Sequence, residues 1–358
     1  MIILEKIFEK DSYTVTLKVS DESHAMRLDQ FLQLFLSSLS REHIKKKIKN
    51  GDIIIKGRPG IHRPSTKMLK NEEIVLTIPR MEHEDEYWRG EKLEVSDTPH
   101  IIYEDSDLIV IAKPPYMATH PTGRHLFNCA TVFFEAKYKK TIHSIHRLDR
   151  ETSGILLLGK NPKASTALSS QFEIDQVKKC YFFIAKISPA FQNNMSFWAN
   201  ERLGGQEEGR KRVIINAFPP DSNEGKESQT FFKILETNQD YALGLAFPQT
   251  GRQHQIRVHA LMHGLPLIGD KLYYGGYEMF QRFKDNLASE EDYDFIQLPR
   301  HALHAVALKI PYKGTPQLFQ SPLPEDLKAW IKDHFPEVLN NIEEKMQKEI
   351  TSYFCANQ

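Results

Sequence analysis

Apolar positions along the chain change period several times, and each change marks an element. Tyr13 to Val19 alternates and is rich in β-branched residues, which predicts a strand. Leu28, Phe31, Leu32, Phe35, Leu36 and Leu39 then recur every three or four residues, as one face of a helix does. Ser40 is placed to cap a second, short helix with Ile44 and Ile48 inside and lysines outside. Gly51 stands just past its end, where a left-handed residue is commonly needed. Ile53 to Ile55 and Glu73 to Ile78 predict short strands around a turn at Arg58-Pro59-Gly60.

Residues 81–98 are polar and acidic, without apolar periodicity, and are expected to be a linker. Beyond them lie short apolar runs: Leu108 to Ala112, Ile155 to Leu158, Tyr181 to Ile187, Phe231 to Leu235 and Leu243 to Phe247. Asn161-Pro162 has the cap and first-turn chemistry of a helix start, with Ala164, Ala167, Leu168 and Phe172 as its apolar face. Strands outnumber helices and do not alternate regularly with them. The expected fold class is therefore α+β, a mainly antiparallel mixed sheet over residues 99–324, preceded by a small α/β domain. Residues 325–358 are helical in pattern and predict a C-terminal extension.

Composition adds limits. The 358 residues suggest two domains, and no apolar run is long enough for a membrane helix. The N-terminus is too short and too charged for a signal peptide. Three cysteines, Cys129, Cys180 and Cys355, form no CxxC pair, which suits a reducing cytoplasm. Net charge is zero, but it is unevenly spread. Arg41 to Lys70 carries ten basic and two acidic side chains, whereas Met81 to Asp107 carries ten acidic and two basic. A basic module of this kind points to a polyanion partner.

One nonapeptide carries the most chemistry: His146-Arg147-Leu148-Asp149-Arg150-Glu151-Thr152-Ser153-Gly154. Asp149 stands between Arg147 and Arg150, whose positive charge favours its ionised form. Three more segments accompany it. They are Lys179-Cys180-Tyr181, Thr250 to His259 with Arg257 and His254 inside it, and Gly264 to Asp270 with Tyr273 and Tyr274, followed by Leu303-His304-Ala305. In order and type these segments resemble the RluA-type (large-subunit ribosomal RNA) pseudouridine synthases, whose motifs read HRLDxxTSG, KxY, TGRxHQIRxH, GxPxxGD and LHA. Residues 24–80 resemble the RNA-binding domain named after ribosomal small-subunit protein four. That match runs through Arg27-Leu28-Asp29, Ser40-Arg41 and Ile48 to Ile53. The chain departs from the family at Ala112, at Gln253 and in an insertion from Gly275 to Arg300.

The resemblance implies isomerisation of uridine to pseudouridine in structured RNA, ribosomal RNA ahead of transfer RNA. A non-catalytic RNA-binding or assembly factor on the same scaffold is the rival reading. Asp149 would be the catalytic carboxylate, either attacking covalently or taking the C2′ proton. Arg257 would pair with Asp149, and Tyr181 would stack on the uracil. Arg147 would fill the space of the flipped base. Arg150, His254, Arg41, Lys45, Lys46 and Lys49 would complete the RNA contacts. No cofactor, no metal, no membrane and a cytoplasmic monomer are expected. The histidine pairs His143/His146, His254/His259 and His301/His304 lack carboxylates or cysteines at helical spacing. They are expected to hold loops rather than ligate a metal.

Overall fold

A computed structural model describes residues 2–8, 12–35, 41–79, 86–121, 125, 128–205 and 213–356. Leu36, Leu39, the Ser40 cap and residues 81–85 of the acidic run lie outside the described residues. The chain forms two compact units, one of Met1–Glu86 with Ala118–Ile142, the other of Tyr87–Met117 with His143–Gln358.

The first unit holds strands β1 (Ile2–Phe8), β2 (Ser12–Lys18), β3 (Ile53–Ile55) and β4 (Glu73–Pro79), with helices α1 (Leu28–Phe35), α2 (Arg41–Asn50) and α3 (Ala130–Tyr138). The strands form an antiparallel sheet in the order β1-β2-β4-β3. Alternate residues Tyr13, Val15 and Leu17 of β2 and Ile74, Leu76 and Ile78 of β4 join Leu28, Phe31 and Leu32 of α1 and Ile44 and Ile48 of α2 in one core. Period two in the strands and the helical period in α1 and α2 thus meet on one layer. Asp29 is buried between two guanidiniums, at 2.9 Å from Arg27 and 3.1 Å from Arg41, and so links the start of α1 to the start of α2.

The second unit begins with a small hairpin, β5 (Tyr87–Trp88) and β6 (Glu91–Lys92). Its strands continue as β7 (His100–Glu104), β8 (Leu108–Lys113), β9 (His143–Ser144), β10 (Ser153–Gly159), β11 (Lys178–Lys186), β12 (Ser196–Ala199), β13 (Arg202–Gly205), β14 (Ile215–Phe218), β15 (Thr230–Thr237), β16 (Tyr241–Pro248), β17 (Leu303–Tyr312) and β18 (Thr315–Gln320). Its helices are α4 (Pro162–Glu173), α5 (Gln255–Met262), α6 (Gly276–Lys284), α7 (Glu290–Ile296), α8 (Glu325–His334) and α9 (Ile342–Ala356). Ten strands make the main sheet, running β12-β15-β16-β11-β17-β10-β8-β7, with β18 on β17 and β9 on β10. Its pairings are antiparallel except β10 with β17. The molecule is therefore α+β with a mixed, mainly antiparallel sheet. Among the described residues no helix is long and apolar enough to cross a membrane.

Side-chain alternation along β11 sets the two faces. Cys180, Phe182 and Ile184 join the core covered by α8 and α9, whereas Phe183 and Ala185, with Tyr181 against them, face the core that α5 enters. Three expectations differ from this picture. The C-terminal helices are not an appendage, because Leu327, Trp330 and Ile331 of α8 and Ile342, Met346, Ile350 and Phe354 of α9 complete a central core. Part of the expected linker is folded, since Trp88 stacks on Phe283 and Arg89 pairs with Glu290 and Asp294. Ala167 of α4 is exposed, while Ser165 is turned inward, its hydroxyl donating to the Asn161 carbonyl at 2.7 Å. The Asn161 side chain does cap α4, accepting from Ala164 N at 2.9 Å.

Candidate active site

Asp149 lies in the loop between β9 and β10, and that loop is pinned from both sides. Its own backbone closes a turn, with Thr152 N donating to the Asp149 carbonyl at 3.1 Å. The buried Lys113 ammonium reaches the Arg150 carbonyl at 3.1 Å and the Pro114 and Met117 carbonyls at 3.0 and 2.8 Å. Three carbonyls match the three donors of an ammonium. Behind the turn, the Thr152 hydroxyl meets His301 Nε2 at 2.7 Å, and the Ser153 hydroxyl meets His304 Nδ1 at 2.9 Å. His301 Nδ1 faces Glu151 Oε2 at 3.2 Å, and the Glu151 carboxylate also takes Lys271 at 3.2 Å. Gly154 has φ +109°, and a Cβ there would sit 2.2 Å from the Ala305 carbonyl oxygen. Only glycine lets β10 and β17 pair that closely.

Arg257 comes from α5, whose first turn is held by one amide. Gln255 Oε1 accepts from the Thr250 hydroxyl at 2.8 Å and Arg252 N at 2.9 Å. Its Nε2 donates to the Gln229 carbonyl and to Thr230 Oγ1, both at 2.9 Å. With every bond of that amide used, the Thr250–His254 loop is tied to Gln229 and Thr230. Arg257 is itself clamped. Its Nε and Nη2 donate to both oxygens of buried Asp270, at 2.6 and 2.8 Å, and its Nη1 donates to Asp149 Oδ2 at 3.2 Å. Asp270 accepts further from Leu272 N and Tyr273 N, at 3.1 and 3.0 Å. The Tyr273 ring lies under the Arg257 guanidinium, 4.9 Å away.

Burial works against the Asp149 charge, but Arg257 first, then His254 and His301, outweigh it and hold the carboxyl below its ordinary range. Asp149 is thus ionised at neutral pH. Burial would lower the Arg257 pKa, yet Asp270, by charge and hydrogen bond, and Asp149 raise it. Burial, with Asp149 nearby, pushes the Tyr181 phenol up, so it stays protonated. Lys179 is pressed down to about 8, mainly by burial.

Asp149, Tyr181, Arg257, His254, Arg147 and Lys179 line one cavity of about 180 Å³. The structure therefore brings together the three residues singled out for chemistry and two of those assigned to RNA. Arg147 is exposed at this cavity, while Arg150 lies 5.6 Å from the Tyr116 ring. Arg41, Lys45, Lys46 and Lys49 belong to the first unit, on α2. There Arg41 pairs with Asp29 and Lys45 with Glu42, while Lys46 and Lys49 are exposed. Asp270 and Tyr273 stand in the segment Gly264 to Tyr274, yet neither is among the candidate residues named from the sequence. Among the described residues no group of three or more histidines, cysteines or carboxylates is placed to hold a metal.

A family model described as RNA pseudouridylate synthase matches residues 107–261. An uncharacterized RNA pseudouridine synthase of Chlorobaculum parvum is 30% identical, over 89% of this chain and 97% of its own length. Ribosomal large subunit pseudouridine synthase D of Vibrio parahaemolyticus is 30% identical, over 88% of this chain and 93% of its own. The human RNA pseudouridylate synthase domain containing 4 shares the fold, with TM-score 0.51 and 21% identity over 65% of this chain and 91% of that one.

Proposed function

Because the chain belongs to the RNA pseudouridine synthases, we propose that the cavity beside Asp149 takes a uridine turned out of folded ribosomal RNA and that the Asp149 carboxylate begins its isomerisation. The N1–C1′ bond breaks, the ring turns, and C5 bonds to C1′. The C5 proton is lost and N1 gains one, so atoms and electrons balance without an external reductant. Asp149 can attack covalently or take the C2′ proton, and both routes need the ionised form. The observation that carries the reading is the Asp149 carboxylate, ionised and held at 3.2 Å by an arginine that a buried second carboxylate fixes, inside a cavity lined by Tyr181.

The other residues take roles their positions support. Arg257 aims Asp149 and keeps it charged. Tyr181 offers a neutral ring for stacking on the base. Turning the base out costs a few kcal/mol of unstacking, and Arg147, exposed at the cavity, would fill the gap. Lys46 and Lys49 of α2, with Lys45, Arg41 and Arg150, supply contacts to backbone phosphates. The names of relatives, ribosomal large subunit synthases D and C, favour ribosomal over transfer RNA. Ribosomal RNA as substrate also favours a cytoplasmic enzyme, and we assign it a single-chain form.

Tritium release from large-subunit ribosomal RNA labelled at uracil C5 tests the reading. Wild-type protein is expected to release tritium, and Asp149→Asn is expected to release none above background while binding the RNA. Equal release by the two proteins refutes the role given to Asp149.

A further inference from the structure

His254 is held in an uncommon backbone state. Its φ of +55° lies in the left-handed region, which is unfavourable for a non-glycine residue and persists only where the surroundings impose it. What that conformation achieves can be read from the ring. His254 Nδ1 lies 2.9 Å from the Tyr273 hydroxyl. The same hydroxyl oxygen accepts the Ile215 backbone N–H at 2.9 Å. A backbone N–H can only donate, so one acceptor site of the phenol is taken and its single proton is free to point at Nδ1. In that arrangement Nδ1 is an acceptor, and a neutral imidazole so bonded carries its proton on Nε2.

Nε2 lies 3.9 Å from Asp149 Oδ2, beyond a direct hydrogen bond, and the residue lines the cavity. Burial and then Arg257 hold His254 down to about 4, against Asp149 and Asp270, with His301 adding to Arg257. Near neutral pH the site therefore presents an uncharged N–H donor beside the ionised carboxylate, not an imidazolium that would form a tight ion pair with it.

We propose that His254 Nε2–H donates to a carbonyl oxygen of the bound uracil and stabilises the negative charge that the base acquires during the reaction. The proposal rests on the cavity being the uracil site. It does not depend on which route Asp149 follows. If the carboxylate bonds to C1′, the N1–C1′ electron pair leaves with the base as uracilate. If Asp149 takes the C2′ proton, a C1′–C2′ double bond forms and the same anion departs. If the carboxylate adds to the ring, the displaced electron pair reaches a carbonyl oxygen as an enolate. In each case charge accumulates on a carbonyl oxygen, and no proton needs to leave His254. Fixed donors aimed at developing charge are a strong source of rate, and a neutral imidazole can be such a donor. Tyr273 is then a positioning residue, since it sets which imidazole nitrogen bears the proton.

The test combines ¹⁵N-histidine NMR of the whole protein with steady-state tritium release. Wild-type His254 should show the neutral Nε2–H form between pH 6 and 8. His254→Ala should lose on the order of 10²-fold in kcat with little change in KM, as removal of one such donor does elsewhere. His254→Gln, which keeps an N–H donor, should recover part of that loss. Tyr273→Phe should mix the two neutral forms of His254 and give an intermediate kcat. A proton on Nδ1 in the wild type, or a kcat for His254→Ala within about threefold of wild type, overturns the proposal. An inactive Asp149→Asn beside a fully active His254→Ala removes only the role of His254, whereas full activity in Asp149→Asn removes the reading of the cavity itself.

Discussion

The histidines around Asp149 are tuned by burial more than by formal charge. His146 and His304 are pressed down to about 3 and His254 to about 4, in each case chiefly by burial and next by a neighbouring Lys179, Arg300 or Arg257. An unfolded histidine titrates near 6.5. Between that value and the folded one, the unfolded chain binds more protons, so stability is complete above about pH 6.5 and drains away as pH falls toward 4. Each histidine contributes a slope of about 1.4 kcal/mol per pH unit in that window. Urea denaturation should show a midpoint that is flat above pH 7 and falls steeply from pH 6.5 to 5, with a shallower fall in His304→Gln. Asp149 and Asp270, both held below their ordinary range, lose their contribution only at still lower pH. At this scale the sequence disclosed which residues matter, but not which groups face each other. Asp149 and Arg257 were legible as a pair because the motifs are distinctive. Asp270 was not, because its partner is 13 positions away and only the fold turns both side chains inward.

Several elements were legible where a period or a short apolar run stood out. β2, α1, α2 and β4 of the first unit stand where alternation or helical spacing placed them, and β8, β10, β11, β15 and β16 of the second where short apolar runs did. α5 was missed for a physical reason: it is buried nearly all round, so it has no polar stripe to set its period. The failure at Ala167 is of the opposite kind. A small apolar side chain on a surface face costs little, and Ser165, its hydroxyl bonded back to the Asn161 carbonyl, took the inward place. The parallel pairing of β10 with β17 brings two backbones close and sets Ser153 beside His304. Gly154→Ala should cost roughly 2–4 kcal/mol, from the positive φ and the clash with Ala305, and should abolish tritium release by loosening the Asp149 turn. Thermal unfolding alongside the activity assay checks this, and an unshifted melting temperature contradicts it.

Across the whole molecule, a zero net charge conceals a basic stretch from Arg41 to Lys70 and an acidic one from Met81 to Asp107. The exposed Lys46 and Lys49 are the direct test of what the basic stretch does. Reversing both to glutamate should weaken binding to ribosomal RNA. The slope of log affinity against log salt should fall by about two, one for each phosphate that a lysine no longer neutralises. An unchanged slope in a salt titration rules out phosphate binding by α2.

From chain order alone, the two units were expected to meet once, at the acidic run. Instead the backbone passes from one to the other at 86/87, 117/118 and 142/143, so the first unit is assembled from two separate stretches. Helix α3 packs on β1 although more than a hundred residues separate them. A protease nicking the chain near residue 82 would therefore leave α3 on the longer fragment, and the shorter piece would lack a helix of its own unit. The two units are stitched rather than strung, and neither could be traded between genes as a cassette by one crossover.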